Sequence, residues 1–397
     1  MITKRFGKTE VQMPLITMGG MRFQESWQDI PEKEITKKCQ DNLEQILGYA
    51  LDHGINHIET ARGYGTSEVQ LAKLLPNYDR EKIILQSKVA PTEDPRDFTK
   101  TFETTMSNLK VDYLDLFSIH GINNLERLDW ALQKGGALDQ ALQWQKEGRI
   151  KHIGFSSHAS ATEVDTMINT GAFSYVNLHY YYVNQSTLKC LESAKKHDMG
   201  VLVISPNDKG GHLWKHPEEM AKLTAPLHPM QFNALFCFLH EQVGTLTMGV
   251  ARPSDFDIHL ETLKFYEKRF ELIPPMIEKL NQKIESKLGQ GWMEKWFKGI
   301  PDWSAVPHDI NIWETVRLYT FATGLGLDSF AKARYNMLGK GGHYFPGLKA
   351  LEVPTKEILE LCGANPFKEK IPEILKRAHQ ILDDSEIAKN AGPKSGT

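Results

Sequence analysis

Residues 83–119 read IILQSKVAPTEDPRDFTKTFETTMSNLKVDYLDLFSI, and this stretch decides the fold class. Two runs dominated by Ile, Leu and Val, at Ile83–Val89 and Tyr113–Ile119, flank a predicted helix at Pro95–Leu109. Several runs of this kind along the chain are nearly continuous in Val, Ile and Leu, which is typical of strands buried on both faces. The stretch therefore predicts a strand, a helix and a second strand, which together form the repeating unit of a parallel sheet.

The same alternation continues in both directions, from Pro14 to about Phe265. The predicted strands are Leu15–Met18, His57–Thr60, Ile83–Val89, Tyr113–Ile119, His152–Ser156, Tyr175–His179, Val201–Ser205 and Thr245–Val250. The predicted helices are Lys38–Asp52, Ser67–Leu75, Pro95–Leu109, Leu138–Glu147, Ala161–Thr170, Ser186–His197, Pro229–Glu241 and Ser254–Tyr266. Eight strand–helix units in roughly 250 residues are the sequence pattern of a (β/α)8 TIM barrel, an α/β fold. An open doubly wound sheet is the alternative, but the turn after the first strand lacks the G-x-G-x-x-G pattern of that fold.

The residues on either side of this region have a different character. Before it, the stretch Lys4–Met13 turns at Gly7 and predicts a small hairpin that closes one end of the barrel. After it, the chain is rich in Trp and predicts a mostly helical C-terminal extension, with an amphipathic helix at Pro372–Ile387 and then a mobile polar tail. We expect a barrel domain over residues 1–267 and an extension over residues 268–397 that packs on the barrel.

The composition excludes several classes of protein. Hydrophobic residues make up 41% of the chain, which is enough apolar material for a sizeable core and excludes a mainly disordered chain. Lys and Arg number 47 against 50 Asp and Glu, so the net charge is −3. A chain this close to neutral gives no electrostatic reason to expect nucleic acid or an anionic membrane as a partner.

Cysteine usage and apolar runs indicate the compartment. The four cysteines, Cys39, Cys190, Cys237 and Cys362, include no close pair and predict reduced thiols rather than a disulfide framework, a zinc site or an iron–sulfur cluster. The first residues lack the apolar run of a signal peptide, and apolar runs such as Leu235–Leu239 are far shorter than the about 18 residues that crossing a bilayer takes. We therefore expect a soluble, cytoplasmic protein and leave its oligomeric state open.

Polar residues at the ends of the predicted strands are the candidates for catalysis, because barrel enzymes place their active sites at that end. Lys88 ends the third strand, and its ammonium needs a partner such as Glu59 on the neighbouring strand. An ammonium beside a phenol favours the phenolate, so Lys88 is expected to lower the pKa of Tyr64 and make it a usable general acid. His120, after the fourth strand, can donate a hydrogen bond to a carbonyl oxygen. These residues would protonate a carbonyl group but cannot donate hydride, so a cofactor is implied.

Two other functions are open at this point. A metal-dependent hydrolase would use His57, Glu59, His120 and His158 as zinc ligands, but it leaves Lys88 and the neighbouring tyrosine without a role. A regulatory barrel that binds a cofactor with little turnover is the other alternative. Analysis of bound metal would identify the first, and tight cofactor binding without carbonyl reduction would identify the second.

Three stretches resemble signatures of the aldo-keto reductase superfamily. They are GINHIETARGYGTSE at residues 54–68, YLDLFSIH at residues 113–120 and IKHIGFSSH at residues 150–158. The resemblance runs from about Thr3 to Leu263. It implies a catalytic tetrad of Glu59, Tyr64, Lys88 and His120, with Tyr64 giving the proton. It also implies reduction of an aldehyde or ketone with NADP(H), or with NAD(H).

The resemblance also implies a set of cofactor-binding residues. These are Gly20, Met21, Ser156, Ser157, Asn177, Ser205, Pro206, Asn207, Lys209, Gly249, Arg252 and Phe256. By the resemblance, Ser156, Ser157 and Asn177 would hold the carboxamide of the nicotinamide. The residues after the seventh and eighth strands would hold the pyrophosphate and the adenosine.

The sequence departs from the family pattern in three places. Glu59 stands where the family has Asp. The turn after the eighth strand lacks the usual Lys-Ser pair and carries Asp255 and Asp257, which leaves the choice between NADP and NAD open even though Arg252 could hold a phosphate. The extension resembles that of a branch with a ferredoxin-like iron–sulfur tail, but only Cys362 is present in it, so we predict no cluster and no metal.

Overall fold

The structure is a computed structural model of the chain and describes residues 1–340 and 346–384. The polar tail that the sequence predicts to be mobile lies outside the described residues, as do the last predicted residues of the helix Pro372–Ile387. The described residues form ten strands: β1 (Thr3–Arg5), β2 (Gln12–Pro14), β3 (Ile16–Gly19), β4 (His57–Glu59), β5 (Ile84–Val89), β6 (Leu114–Ile119), β7 (Ile150–Ser156), β8 (Tyr175–Leu178), β9 (Gly200–Ile204) and β10 (Val243–Gly249).

As far as residue 262, each strand from β3 onward is followed by one helix or by two. The helices are α1 (Lys37–Asp52), α2 (Ser67–Ala72), α3 (Pro95–Leu109), α4 (Leu125–Leu132), α5 (Ala137–Lys146), α6 (Ala161–Asn169), α7 (Leu188–Lys196), α8 (Glu218–Thr224), α9 (Pro229–Cys237), α10 (Asp257–Thr262), α11 (Arg269–Leu288), α12 (Trp292–Lys295), α13 (Ile312–Leu325), α14 (Asp328–Tyr335), α15 (Thr355–Leu361) and α16 (Ile371–Leu382).

Strands β3 to β10 form a closed barrel in which every neighbouring pair is parallel, with β10 hydrogen-bonded to β3. The prediction of a (β/α)8 TIM barrel with a mostly helical C-terminal region is confirmed. The eight barrel strands are buried almost throughout because one face fills the barrel and the other packs under helices. The carboxyl ends of all eight strands therefore meet at one end of the barrel, which we call the mouth.

The described residues cluster into two compact units. The first contains residues 1–209 and 233–269, and the second contains residues 210–232 together with the described residues from 270 onward. Within the second unit, an ion pair joins Glu219 on α8 to Lys283 on α11. The rings of His212 and Phe330 lie 5.5 Å apart in an edge-on arrangement. The segment 210–232, which follows β9 in the chain, thus belongs to the helical unit, whereas the packing of this unit on the barrel stays a prediction.

The predicted hairpin is present at the end of the barrel opposite the mouth. Strands β1 and β2 pair antiparallel, and Phe6, just after β1, is fully buried with its ring 5.7 Å from that of Tyr175. A Cβ atom added to Gly200 or to Gly244 would lie only 2.6 Å from the Phe6 ring. Glycines near the starts of β9 and β10 therefore create the space that this aromatic ring fills.

We expect Gly200→Ala to destabilise the barrel by about 1–3 kcal/mol, because the new methyl group overpacks the Phe6 ring. Gly48→Ala is the matched control, since Gly48 lies inside α1 and a Cβ atom there meets nothing closer than 3.8 Å. The control should be neutral or stabilising by about 0.5–1 kcal/mol, because Ala favours helix. Urea unfolding of the full chain measures both values, and equal stability of the two variants would contradict the role given to Gly200.

Candidate active site

Lys88 is the centre of the site. It lies near the carboxyl end of β5, and its side chain is only 1% exposed. Its Nζ forms an ion pair with the equally buried carboxylate of Glu59, the last residue of β4, and donates a hydrogen bond of 2.9 Å to the Thr60 carbonyl oxygen. The hydroxyl oxygen of Tyr64 lies 3.3 Å from the same Nζ and 3.5 Å from Glu59 Oε1. Three of the four predicted catalytic residues are thus in direct contact.

The aromatic neighbours of Tyr64 complete the group. On one side, the His120 ring stands edge-on to the Tyr64 ring, with centroids 5.9 Å apart. On the other, Trp27 stands edge-on at 6.4 Å and is 44% exposed. Gly65 (φ +52°) allows this arrangement, because a Cβ atom there would lie 2.0 Å from the Ser26 carbonyl oxygen. The loop after β3 therefore packs directly on the turn that carries Tyr64.

Burial dominates the electrostatics of this group. Loss of solvent lowers the pKa of Lys88 well below its ordinary value. The Glu59 carboxylate is the counter-charge that favours the ammonium form, and both groups are screened from water. A buried pair of this kind is electrostatically strong, and it costs much to break because the remaining charge is left without a partner.

The residues predicted to hold the carboxamide lie at the ends of β7 and β8, where Ser156 and Asn177 are register partners. The Ser156 Oγ accepts a hydrogen bond of 2.9 Å from the Gly121 N–H. The Ser157 hydroxyl donates to the Ile122 carbonyl oxygen at 2.6 Å and accepts from a backbone N–H. The side-chain amide of Asn177 differs from both, because it is buried and neither its nitrogen nor its oxygen has a hydrogen-bond partner among the described residues.

A glycine-containing segment after β3 borders the mouth. Gly20 follows β3 and donates its N–H to the Glu59 carbonyl oxygen at 2.7 Å, and a Cβ atom there would lie 2.8 Å from that oxygen. Met21, next in the chain, is partly exposed. Gly20 is thus closely packed beside the candidate residue Glu59 and leaves no open space of its own for a ligand. Its role in cofactor binding stays a prediction.

The loop after β9 contains four of the predicted cofactor residues. Ser205 has a left-handed backbone conformation (φ +51°), which is uncommon for a residue other than glycine. The Pro206 carbonyl oxygen accepts a hydrogen bond from the Asn233 side chain. The Asn207 Nδ2 lies 3.2 Å from a His259 ring nitrogen, and Lys209 Nζ lies 3.5 Å from His179 Nε2. These contacts hold the loop at the mouth, and a role in binding the pyrophosphate stays a prediction.

The turn after β10 contains the other three predicted cofactor residues. Gly249 is the last residue of β10, and Arg252 donates from Nε to Asp255 at 2.9 Å. Phe256 is fully buried, with its ring nearly parallel to that of Tyr49 on α1. Their role in holding the adenosine likewise stays a prediction.

The residues named for a zinc site do not come together. His57 lies inside the barrel with Nδ1 2.7 Å from the Thr17 hydroxyl, and burial lowers its pKa to about 3. Glu59 is paired with a lysine, and His158 contacts His179 instead. In residues 1–340 and 346–384, no group of three or more His, Cys, Asp or Glu side chains is arranged to hold a metal ion. Those same residues contain no helix of the length and apolar character that a membrane span needs.

The sequence predicts four candidate residues that the structure brings together, but it does not predict the place of Trp27 beside them. The four candidates all stand at or just after strand ends, where the barrel pattern directs attention. Trp27 lies in the long loop between β3 and α1, and its place beside Tyr64 depends on contacts across that loop. No spacing in the sequence indicates it.

Comparisons with known proteins agree with this geometry. The model of the Aldo/keto reductase family matches residues 15–250. Aldo-keto reductase family 1 member A1 of Gallus gallus is 25% identical over 240 residues, which is 54% of this chain and 67% of the relative. D-arabinose 1-dehydrogenase of Saccharomyces cerevisiae is 29% identical over 187 residues, which is 42% of this chain and 52% of the relative.

Solved structures show the same fold. An aldo-keto reductase of Bacillus halodurans in its holo form has a TM-score of 0.56 at 17% identity, covering 69% of this chain and 97% of its own. An aldo/keto reductase of Klebsiella pneumoniae in complex with NADP and acetate has a TM-score of 0.54 at 19% identity, covering 69% and 96%. The family model spans more than half of the chain. The chain therefore belongs to the aldo/keto reductase family of NAD(P)-dependent oxidoreductases.

Proposed function

We propose that this enzyme reduces an aldehyde or ketone to an alcohol, with Tyr64 as the general acid. The observation that carries the proposal is the Lys88 ammonium, paired with Glu59 and 3.3 Å from the Tyr64 hydroxyl at the mouth of the barrel. A cation at this distance stabilises the phenolate that is left when the hydroxyl gives up its proton. The phenol is thereby a stronger acid at the point where a carbonyl oxygen gains negative charge.

The other residues of the group position the reaction. Burial lowers the pKa of Lys88, and the paired carboxylate of Glu59 opposes this by favouring the ammonium form, so we assign Glu59 an electrostatic role. His120 stands edge-on to Tyr64, and we propose that it donates a hydrogen bond to the substrate carbonyl oxygen and orients it toward the Tyr64 hydroxyl. Glu59 is one methylene longer than the family's Asp, yet its carboxylate still reaches the lysine.

The residues at the mouth fit a nicotinamide dinucleotide. The buried amide of Asn177, with both polar atoms unpaired among the described residues, suits a carboxamide, which has one donor group and one acceptor group to offer in return. A bound nicotinamide would supply the hydride that no side chain can give. The Klebsiella pneumoniae relative, which is complexed with NADP, supports this class of cofactor.

Oxidation of NADH and NADPH by the purified full chain tests the proposed function, with a broad panel of aldehydes and ketones as substrates. We expect substrate-dependent loss of the reduced nicotinamide absorbance and formation of the matching alcohol. Tight dinucleotide binding with no turnover of any carbonyl would favour the regulatory alternative instead. Full activity that disappears with a chelator would favour a metal-dependent mechanism. The cytoplasmic location stays a prediction.

A further inference from the structure

The turn after β10 contains a carboxylate that occupies the local hydrogen-bond donors. Oδ2 of Asp255 accepts from the N–H groups of Ala251 at 2.9 Å and of Arg252 at 3.3 Å. Oδ1 of the same carboxylate accepts from Nε of Arg252 at 2.9 Å. Two backbone N–H groups and the Nε of Arg252 thus all face one negative group that belongs to the protein itself.

A phosphate at this turn would need those same donors. In barrel enzymes, phosphate groups bind at the loops after the seventh and eighth strands, where backbone N–H groups and a short helix face the ligand. The strand before this turn, β10, is the eighth strand of the barrel. Here the Asp255 carboxylate accepts the hydrogen bonds that such donors would otherwise give to a bound phosphate. A phosphate would meet a like charge at close range and would find both backbone N–H groups and the Nε of Arg252 already engaged.

A ribose hydroxyl group, unlike a phosphate, can donate a hydrogen bond to this carboxylate. A carboxylate has about four lone-pair sites, and Asp255 uses three of them for the contacts above. One site remains to accept a hydrogen bond from a hydroxyl group. An acidic residue that accepts from the ribose 2′-hydroxyl is a general means of selecting NAD over NADP.

The turn is anchored, so the carboxylate cannot easily move away. The side chain of Asn42 on α1 donates to the Ala251 carbonyl oxygen at 2.9 Å. The Tyr49 hydroxyl donates to Asp257 at 2.5 Å, and the Tyr49 ring is parallel to that of the buried Phe256. Contacts from α1 therefore hold the turn on both sides of Asp255.

We propose that this enzyme prefers NAD(H) to NADP(H) and that Asp255 determines the preference by accepting from the adenosine ribose and repelling a 2′-phosphate. The proposal rests on the proposed function, because it places the adenosine of the dinucleotide at this turn. Two cations near this turn would favour a phosphate instead. One is Arg252, which contacts Asp255 through Nε, and the other is Arg22, whose Cγ would lie 3.0 Å from a Cβ atom added to Gly249.

Calorimetric titration of the full chain with NADH and with NADPH tests the proposal. We expect the native chain to bind NADH at least about tenfold more tightly, as like-charge contact at a ligand phosphate costs more than the roughly 1.4 kcal/mol that a factor of ten represents. Asp255→Asn keeps an oxygen that can cap the turn but removes the charge. It should move the ratio of the two affinities toward NADPH by about tenfold or more.

Asp257→Asn is the matched control, because it removes the same charge two residues away from a carboxylate that is held by Tyr49. It should change the ratio by less than about twofold. Equal or tighter binding of NADPH by the native chain would overturn the proposal and would point to Arg252 or Arg22 as a phosphate ligand. An equal shift in both variants would overturn the assignment to Asp255. Absence of binding by either dinucleotide would instead contradict the proposed function itself. Circular dichroism confirms folding, and Asp255→Ser repeats the test if Asn disturbs the turn.

Discussion

Tyr64→Phe will lower kcat by about 10²- to 10⁴-fold, which is the usual contribution of a general acid. The variant keeps the aromatic ring that packs between Trp27 and His120, so the site should keep its shape. It loses only the hydroxyl group that lies 3.3 Å from Lys88 Nζ. Steady-state kinetics with the best carbonyl substrate measure kcat, and a titration with the dinucleotide should give a dissociation constant within about twofold of the native value.

Tyr78→Phe is the matched control for this prediction. Tyr78 lies after α2 and before β5, at the end of the barrel opposite the mouth, so the loss of its hydroxyl should leave kcat unchanged. If Tyr64→Phe retained the native kcat, Tyr64 would not be the proton donor, and the mechanism would have to begin from another acid. If the variant lost dinucleotide binding as well, the hydroxyl would be needed for binding, and the loss of activity would not identify it as the proton donor.

Lys88→Met will have the largest effect on stability, with an expected cost of about 3–5 kcal/mol in the free energy of unfolding. Methionine fills a similar volume without a charge. The Glu59 carboxylate, however, is left inside the barrel without its partner. Turnover should fall as well, because the Tyr64 hydroxyl loses the cation that stabilises its phenolate. Urea unfolding measures the first effect and steady-state kinetics the second.

A double variant separates the two effects. Lys88→Met combined with Glu59→Gln contains no buried charge at this position, so it should recover most of the stability that Lys88→Met loses. It should recover none of the activity, because the cation is still missing. A double variant that is as unstable as Lys88→Met would show that packing, rather than the unpaired carboxylate, carries the cost. A double variant with native activity would remove Lys88 from the mechanism.

Much of the barrel is predictable from the sequence because buried parallel strands have a strong local signal. The prediction of Ile83–Val89 differs from β5 by one residue, and α3 is predicted at its observed bounds. The end of the barrel is less regular than predicted. The predicted helix Ser254–Tyr266 contains only the short α10, flanked by single 3₁₀ turns, because Pro253 and the Asp255 hydrogen bonds tighten its start.

The candidate site is predictable where it follows strand ends and unpredictable where it depends on contacts between loops. Lys88, Glu59 and Tyr64 come from two consecutive strand–loop units, and their closeness follows from the order of the strands. The contacts of Trp27 and the donors that Asp255 occupies depend on how loops fold against each other. Hydrophobic periodicity contains no information about either.

The grouping of residues 210–232 with the C-terminal helices is a second feature that the sequence pattern does not predict. This segment lies between two barrel strands in the chain, and the sequence prediction includes it in the barrel range. Nothing in its spacing indicates that its partners, such as Lys283 and Phe330, come more than fifty residues later. Only the three-dimensional packing assigns it to the helical unit.

This division of the chain has a consequence for synthesis in the cell. The last strand of the barrel ends at Gly249, so the ribosome delivers all eight strands before it has made α11. Chains fold from the amino terminus as they emerge. The segment 210–232, including its apolar side chains, therefore has no packing partners from the later helices until those helices are translated. A stalled or prematurely terminated chain would therefore present that segment to chaperones or proteases, even if its barrel had already closed.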